Sequence, residues 1–236
     1  MGMNENLTCP RCQSSAIVKN GKILGKQRFK CKNCNRQFTR LTPRGRPASE
    51  KATAVELYTL GLSMCAIARM FHVSPSAVLK WIRNFTRENY EKPVPTGSVK
   101  VELDEMWHFL HIKNKLWIWK AISRETGQLI DWECGNRDAS TFQRLMNRLK
   151  KWNVKIFYSD HWDVYSKIIP RDKLQQSKSE TVSIERNNGR QRHWFARFRR
   201  KSIVVSKSLE MVDLTMALFA RFHVNGKREE ILSLFG

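Results

Sequence analysis

The sequence predicts an α+β, multi-domain chain: a small cysteine-bound β unit, then a group of short helices, then a mixed domain of strands and helices. Three observations carry this expectation. Four of the six cysteines fall within the first 34 residues. An apolar period near 3.6 runs through residues 49–85, and from residue 99 the period shortens to two. With 236 residues and 41% hydrophobic content, the chain can bury a core and has room for two or three small domains.

Charge narrows the partners. Lys and Arg number 43 against 21 Asp and Glu, a formal net charge of +22. The excess is densest at the two ends: residues 1–48 hold eleven cations against one acid, and residues 184–236 hold eleven against five. A polyanion is the natural partner, with a membrane-surface patch or solubilising charge as the plainer alternatives. No run of about 18 uninterrupted apolar residues occurs, and residues 1–9 lack the basic and apolar regions of a signal peptide. A cytoplasmic protein is expected.

The front cysteines stand as Cys9-x2-Cys12 and Cys31-x2-Cys34, separated by 18 residues. Two such turns each offer a pair of thiolates, and four soft thiolates in tetrahedral array suit a structural Zn²⁺ with no open coordination position. Two disulfides are the alternative, disfavoured without a secretory signal. Ile17-Val18 and Gln27–Lys30 read as strands around turns at Gly21 and Gly25, so residues 1–41 are expected to form a zinc ribbon. Cys65 and Cys134 are expected to be buried packing residues. Residues 42–48, with two prolines, Arg44, Gly45 and Arg46, read as a basic linker; its arginines suit a narrow minor groove as well as a solvated hinge.

Residues 49–92 read as three helices. Ser49 opens the first and Gly61 ends it. Met64, Ile67, Ala68 and Phe71 repeat at helical spacing, and Val78, Trp81, Ile82 and Phe85 repeat it after a short turn, with Ser74 as N-cap and Pro75 at the first helical position. Two helices so joined form a helix-turn-helix, whose second helix enters a major groove. Ser76, Lys80, Arg83, Asn84 and Arg87, opposite the apolar stripe, are the candidate DNA contacts. An ordinary three-helix bundle with a solvated face is the competing reading.

Residues 93–236 begin with strands at Val99–Ile112, Leu116–Ser123 and Leu129–Cys134, followed by a helix at Ala139–Lys151 and a strand at Val154–Tyr158. Strands first, then strand and helix in alternation, is the order of an RNase H-like domain. Two-metal phosphoryl transfer needs carboxylates that converge from separate elements. Asp104 sits in the first strand, Asp160 ends the fourth, and Glu185 opens a later helix. Arg192 lies two turns beyond Glu185 on the same helical face, suited to a phosphate. Glu102, one pleat from Asp104 on the same face, is the decoy; Glu105 is expected on the opposite face. Asp163 reads as an early-helix residue and Glu180 as solvated. Seven cations fall between Arg186 and Lys201, interleaved with Trp194, Phe195 and Phe198. The aromatic residues are expected to pin this stretch while Arg190, Arg197, Arg199 and Arg200 meet phosphates.

Four segments, Leu103–Trp107, Tyr158–Tyr165, Ile184–Asn187 and Arg199–Ser208, resemble in order the transposase of the bacterial insertion-sequence family called IS-one. The resemblance extends over nearly the whole chain. It implies a DDE transposase of a prokaryotic cell, with Asp104, Asp160 and Glu185 holding two Mg²⁺ or Mn²⁺ ions and Arg192 as the basic residue after the glutamate. It further implies double-stranded DNA as partner, both terminal inverted repeats and target, cut and then joined. Pairing two ends implies a homodimer or larger assembly. A zinc-ribbon and helix-turn-helix transcriptional regulator without catalysis explains residues 1–92 equally well, but not the placement of the three acids.

Overall fold

The computed structural model describes residues 7–39, 45–111 and 114–226. The chain divides into two compact units, residues 1–47 and 48–236. Arg44 lies outside the described residues.

The first unit is a three-stranded sheet, β1 (Ile17–Ile23), β2 (Lys26–Cys31) and β3 (Gln37–Phe38), antiparallel in the order β1-β2-β3. Leu24 and Gly25 both take positive φ between Ile23 and Lys26, the two-residue turn whose twist matches that of the flanking strands. Gly21 sits at an irregularity in the pairing between Lys19 and Lys22, so it bends the strand instead of turning it. The core is small: Cys9, Cys31 and Phe38, with Ile17, Phe29 and Cys34 against them. A core of that size cannot hold a sheet alone, which makes the cysteines the structural centre of the unit.

The second unit opens with three helices, α1 (Ala48–Thr59), α2 (Met64–Met70) and α3 (Pro75–Asn89). Ser49 lies within α1, one residue past its start, instead of capping it. Ser63 and Ser74 cap α2 and α3, accepting from the backbone N–H of Ala66 and Ala77, and Pro75 starts α3 where its missing N–H costs nothing. A mixed sheet follows in the order β6-β5-β4-β7-β8. Its strands are β4 (Ser98–Leu110), β5 (Asn114–Ser123), β6 (Leu129–Gly135), β7 (Asn153–Ser159) and β8 (Leu174–Gln176). The first three pair antiparallel; β7 joins β4, and β8 joins β7, in parallel. The helices are α4 (Ala139–Leu149), α5 (Asp163–Ile168), α6 (Val182–Trp194) and α7 (Leu209–Phe219), the last continued by a π-helical turn at Ala220–Val224.

Period-two alternation sorts the strands onto two faces. Leu103, Trp119, Ala121 and Ile130 pack with Phe142 and Leu145 of α4 and Tyr165 of α5. Met106, Ile118, Ile122 and Trp132 turn to the other face, against Ile184, Phe195, Phe198 and α7. Burying each such side chain stabilises by roughly 1.5–3 kcal/mol. Val55, Tyr58, Ile67, Val78 and Ile82 of α1 to α3 belong to this second core, so the helical trio shares apolar contacts with the sheet.

Candidate active site and DNA-contacting surface

In the first unit the four cysteine sulfurs lie within 4.8 Å of one another, the only such convergence of three or more metal-capable side chains among the described residues. Cys9 and Cys34 sulfurs are 3.5 Å apart, Cys12 and Cys31 3.6 Å. Burial works to raise the Cys9 thiol, but the backbone N–H groups of Cys12 and Arg11 and the neighbouring thiols outweigh it and lower the group to about 6. Backbone N–H groups at Cys34 and Asn33 likewise lower Cys31. Four thiols this close fit a tetrahedral zinc ion. Cys134 is half-buried and its thiol is pushed up to about 12, chiefly by burial, whereas Cys65 is exposed, against expectation.

In the second unit Asp104 and Asp160 come within electrostatic reach of each other, while no three carboxylates among the described residues converge as the cysteines do. Val101 pairs with Phe157 and Glu102 with Tyr158 across the parallel β4 and β7. The pairing ends there; Asp104 lies two residues further along β4 and Asp160 just past the end of β7, near enough for their charges to interact. Burial, then the charges of Glu105 and Asp160, push Asp104 up to about 7. Asp160 is held by its own loop and by β8: its Oδ1 accepts from the Trp162 N–H at 3.0 Å, and its carbonyl accepts from Gln176 Nε2 at 2.8 Å.

Helix α6 lies over Asp104. Asn188 Nδ2 donates to Asp104 Oδ2 at 2.6 Å, and Arg192 is close enough for the two charges to act on each other. Residues 185, 188 and 192 share one helical face, so Glu185 stands one turn before the residue that touches Asp104. Its carboxylate is exposed and 3.4 Å from Thr181 Oγ1. The decoy has its own task. Glu102 is buried and accepts from the Ile184 N–H at 3.0 Å, a cap supplied from a distant strand to a helix whose N-cap residue, Thr181, makes no side-chain cap bond.

Other participants were not singled out by the sequence pattern. Lys120, paired with Asp104 across β4 and β5, is fully buried, and burial lowers its ammonium well below the usual lysine range. It donates to Asn187 Oδ1 at 2.8 Å and Asn188 Oδ1 at 2.9 Å. Tyr165 donates to Glu105 at 2.8 Å, and Arg137 binds the same carboxylate at 2.6 Å while its guanidinium lies over the Trp117 and Trp162 rings. Glu105 therefore points to the α5 side as alternation requires, yet its charge still acts on Asp104. Asp163 opens α5 and pairs with Lys167 at 2.5 Å; Glu180 is bound to Arg124 at 2.5 Å instead of being simply solvated.

The expected DNA contacts separate into two groups. Arg46, Ser76, Lys80, Asn84, Arg87, Arg190, Arg199 and Arg200 are exposed. Arg83 is half-exposed and its guanidinium is engaged by both oxygens of Glu210, at 2.7 and 2.6 Å. Arg190 donates to the His223 carbonyl. Arg197 must be withdrawn as a phosphate contact. It is buried, donates to the carbonyls of Tyr58 at 3.4 Å and Leu62 at 2.9 Å, and lies 3.9 Å from the centre of the Tyr58 ring. Its helix-adjacent charge pattern looked like a phosphate comb, but the chain turns at Ala196–Phe198 and carries this one cation inward. Trp194, expected as a pin, is instead at the surface, stacked on His223, while Phe195 and Phe198 are buried.

A metal-binding cysteine unit, a helix-turn-helix and a sheet carrying two electrostatically coupled aspartates beneath a basic helix define a DNA-binding, nucleic-acid-cleaving enzyme with a zinc ribbon. Comparison with known proteins agrees. Residues 98–225 match the family described as IS1 transposase, residues 5–35 the InsA N-terminal domain, a zinc ribbon, and residues 47–94 a homeodomain-like helix-turn-helix domain. The insertion element iso-IS1n protein InsB of Shigella dysenteriae is 34% identical over 124 residues, 52% of this chain and 95% of that protein. The IS1 protein InsB of Shigella flexneri is 32% identical over 116 residues, 49% of this chain and 88% of that one. An IS1 InsB protein of Escherichia coli is 33% identical over 136 residues, 57% and 81% respectively. The chain belongs to the IS1 transposase family and is a DNA transposase. It carries the InsA-type ribbon and the InsB-type domain in one polypeptide. No helix among the described residues is long and apolar enough to cross a membrane.

Proposed function

We propose that the chain cuts DNA at the ends of an insertion sequence and joins the freed 3′-hydroxyl to target DNA, with Asp104, Asp160 and Glu185 as ligands for two Mg²⁺ or Mn²⁺ ions. The observation that carries this reading is the seating of α6 on Asp104 next to Asp160, which presents Glu185 and Arg192 on the same face. The donor set is suitable: these are hard oxygen ligands, one of them raised to about 7 first by burial and then by neighbouring negative charges that a divalent cation would relieve. When bound, such ions supply charge neutralisation at the phosphate and activation of the attacking and leaving oxygens.

The chain's own residues do the rest. Asp104, Asp160 and Glu185 would hold the ions and, through their carboxylates, fix where the scissile phosphate sits. Arg192, half-buried beside Asp104, meets a non-bridging phosphate oxygen and offsets charge that grows as the bond breaks. Arg199 and Arg200 bind the flanking backbone, and Lys80, Asn84 and Arg87 of α3 read the element end. Two ends joined together call for at least a homodimer. The test is a labelled element end incubated with plasmid target and Mg²⁺. Asp160→Asn should bind the end normally while cleavage and joining fall by several orders of magnitude. A purified Asp160→Asn protein that still joined ends to target would overturn the assignment.

A further inference from the structure

We propose that Lys120 is a positioning residue that acts through Asn188 to fix how Asp104 presents its carboxylate. The inference rests on the carboxylate reading above. An asparagine amide can sit in either of two orientations of nearly equal shape, offering oxygen or nitrogen to a given neighbour. Asn188 lies between two groups with opposite needs. Its amide nitrogen meets Asp104 Oδ2 at 2.6 Å and its amide oxygen meets Lys120 Nζ at 2.9 Å. A lysine nitrogen pointed at two amide oxygens, Asn187 Oδ1 at 2.8 Å being the other, acts as donor to both, so it selects one orientation of Asn188 and rejects the flipped one.

The setting makes that selection firm. Lys120, Asn187 and Asn188 are all at least nine-tenths buried, leaving no water to take over either bond. Lys120 is held from three sides: it pairs with Asp104 across the sheet, its nitrogen lies 5.3 Å from the centre of the Phe219 ring, and the two asparagines close the remaining side. An apolar residue of this size would fill the same space without burying a charge-bearing group. What the apolar residue would lack is the means to hold two consecutive α6 amides over β5. Since Asn188 is on the face that carries Glu185 and Arg192, the same grip also sets the height of that face above Asp104.

The test is Mn²⁺ binding to the full-length zinc-loaded protein, followed by calorimetry. Lys120→Met, close in length and without donors, and Asn188→Ala should each weaken Mn²⁺ binding about tenfold or more, the usual cost of losing a residue behind a ligand. The double variant should be no weaker than Asn188→Ala alone within about twofold, because both changes break one chain of contacts. Unchanged Mn²⁺ binding in either single variant, or effects that multiply in the double variant, would overturn the proposal. If Lys120→Met does not fold, Asn188→Ala decides: a tenfold loss supports the relay and an unchanged affinity ends it. Asp104→Asn separates the two levels of inference. Should Mn²⁺ binding to the wild type be indifferent to Asp104→Asn, the carboxylate assignment itself fails and takes the relay with it.

Discussion

Arg197 gives the sharpest contrast between what charge pattern suggests and what packing does. The perturbation is Arg197→Met, which keeps the length of the side chain and removes its donors. In the wild type the guanidinium bonds two carbonyls near the end of α1, Tyr58 and Leu62, and lies on the Tyr58 ring. Bonds from a charged donor contribute about 1.5–3 kcal/mol each, and a desolvated cation–π contact about 2. Against this stands the several kcal/mol it costs to keep a guanidinium out of water, which the methionine no longer incurs. The Leu62 carbonyl, left without its donor, decides the sign at about 1–3 kcal/mol, while the Tyr58 carbonyl keeps the Gly61 N–H at 3.1 Å. A net loss of roughly 1–3 kcal/mol follows, and at about 2–4 °C per kcal/mol for a unit of this size the melting temperature should fall by roughly 2–12 °C. Scanning calorimetry measures the melting shift, and a salt titration of DNA affinity measures the rest. Below its melting temperature the variant should keep the wild-type slope of log affinity against log salt, whereas Arg199→Ala, exposed and assigned to the flanking backbone, should lower it by about 0.9 per lost phosphate contact. An Arg197→Met protein with unchanged melting and a reduced salt slope would refute this account and return Arg197 to the DNA surface.

Further outcomes follow from other sites. Chelating zinc, or replacing Cys31 with serine, should abolish the strands of residues 17–38 while the melting of residues 48–226 persists, since the ribbon has almost no other core; circular dichroism and calorimetry of the two transitions would report it. His108 is buried, its Nε2 has no hydrogen-bond partner among the described residues, and burial lowers it from 6.5 to about 4. The unfolded chain therefore takes up that proton first as pH falls, so stability should be full above about 6.5 and decline down to about 4, by about 3 kcal/mol at most. His108→Phe should flatten that part of a stability-against-pH curve measured by denaturant unfolding, and an unaltered curve would count against it. Gly61 takes a φ of +108°, and a Cβ there would stand 2.7 Å from Ala196 Cβ. Gly61→Ala should destabilise by about 1–3 kcal/mol through strain and overlap together, read as a shift in denaturation midpoint.

Much of the fold could be read from residue order alone, because the controlling forces there are local. Cysteine spacing fixes where a tetrahedral site can close, Ser74 and Pro75 begin a helix by satisfying or lacking particular N–H groups, and period-two alternation from residue 99 assigns each side chain of β4 and β5 to a face. Asp104, Asp160 and Glu185 stood out for the same reason: each sits at a strand or helix position that local pattern identifies. What local pattern leaves open is which strand lies beside which, and the parallel pairing of β4 with β7 is what sets Asp104 next to Asp160. The short strands β3 and β8 and the role of Lys120 within β5 are similarly invisible, since two or three residues carry no period and Lys120 looks like any other cation in a basic chain. Only the folded neighbourhood shows that Glu102 caps α6, that Lys120 is buried between two asparagines, and that Arg197 turns inward. The physical reason is that desolvation depends on every atom around a charge, and those atoms come from segments far apart in the sequence.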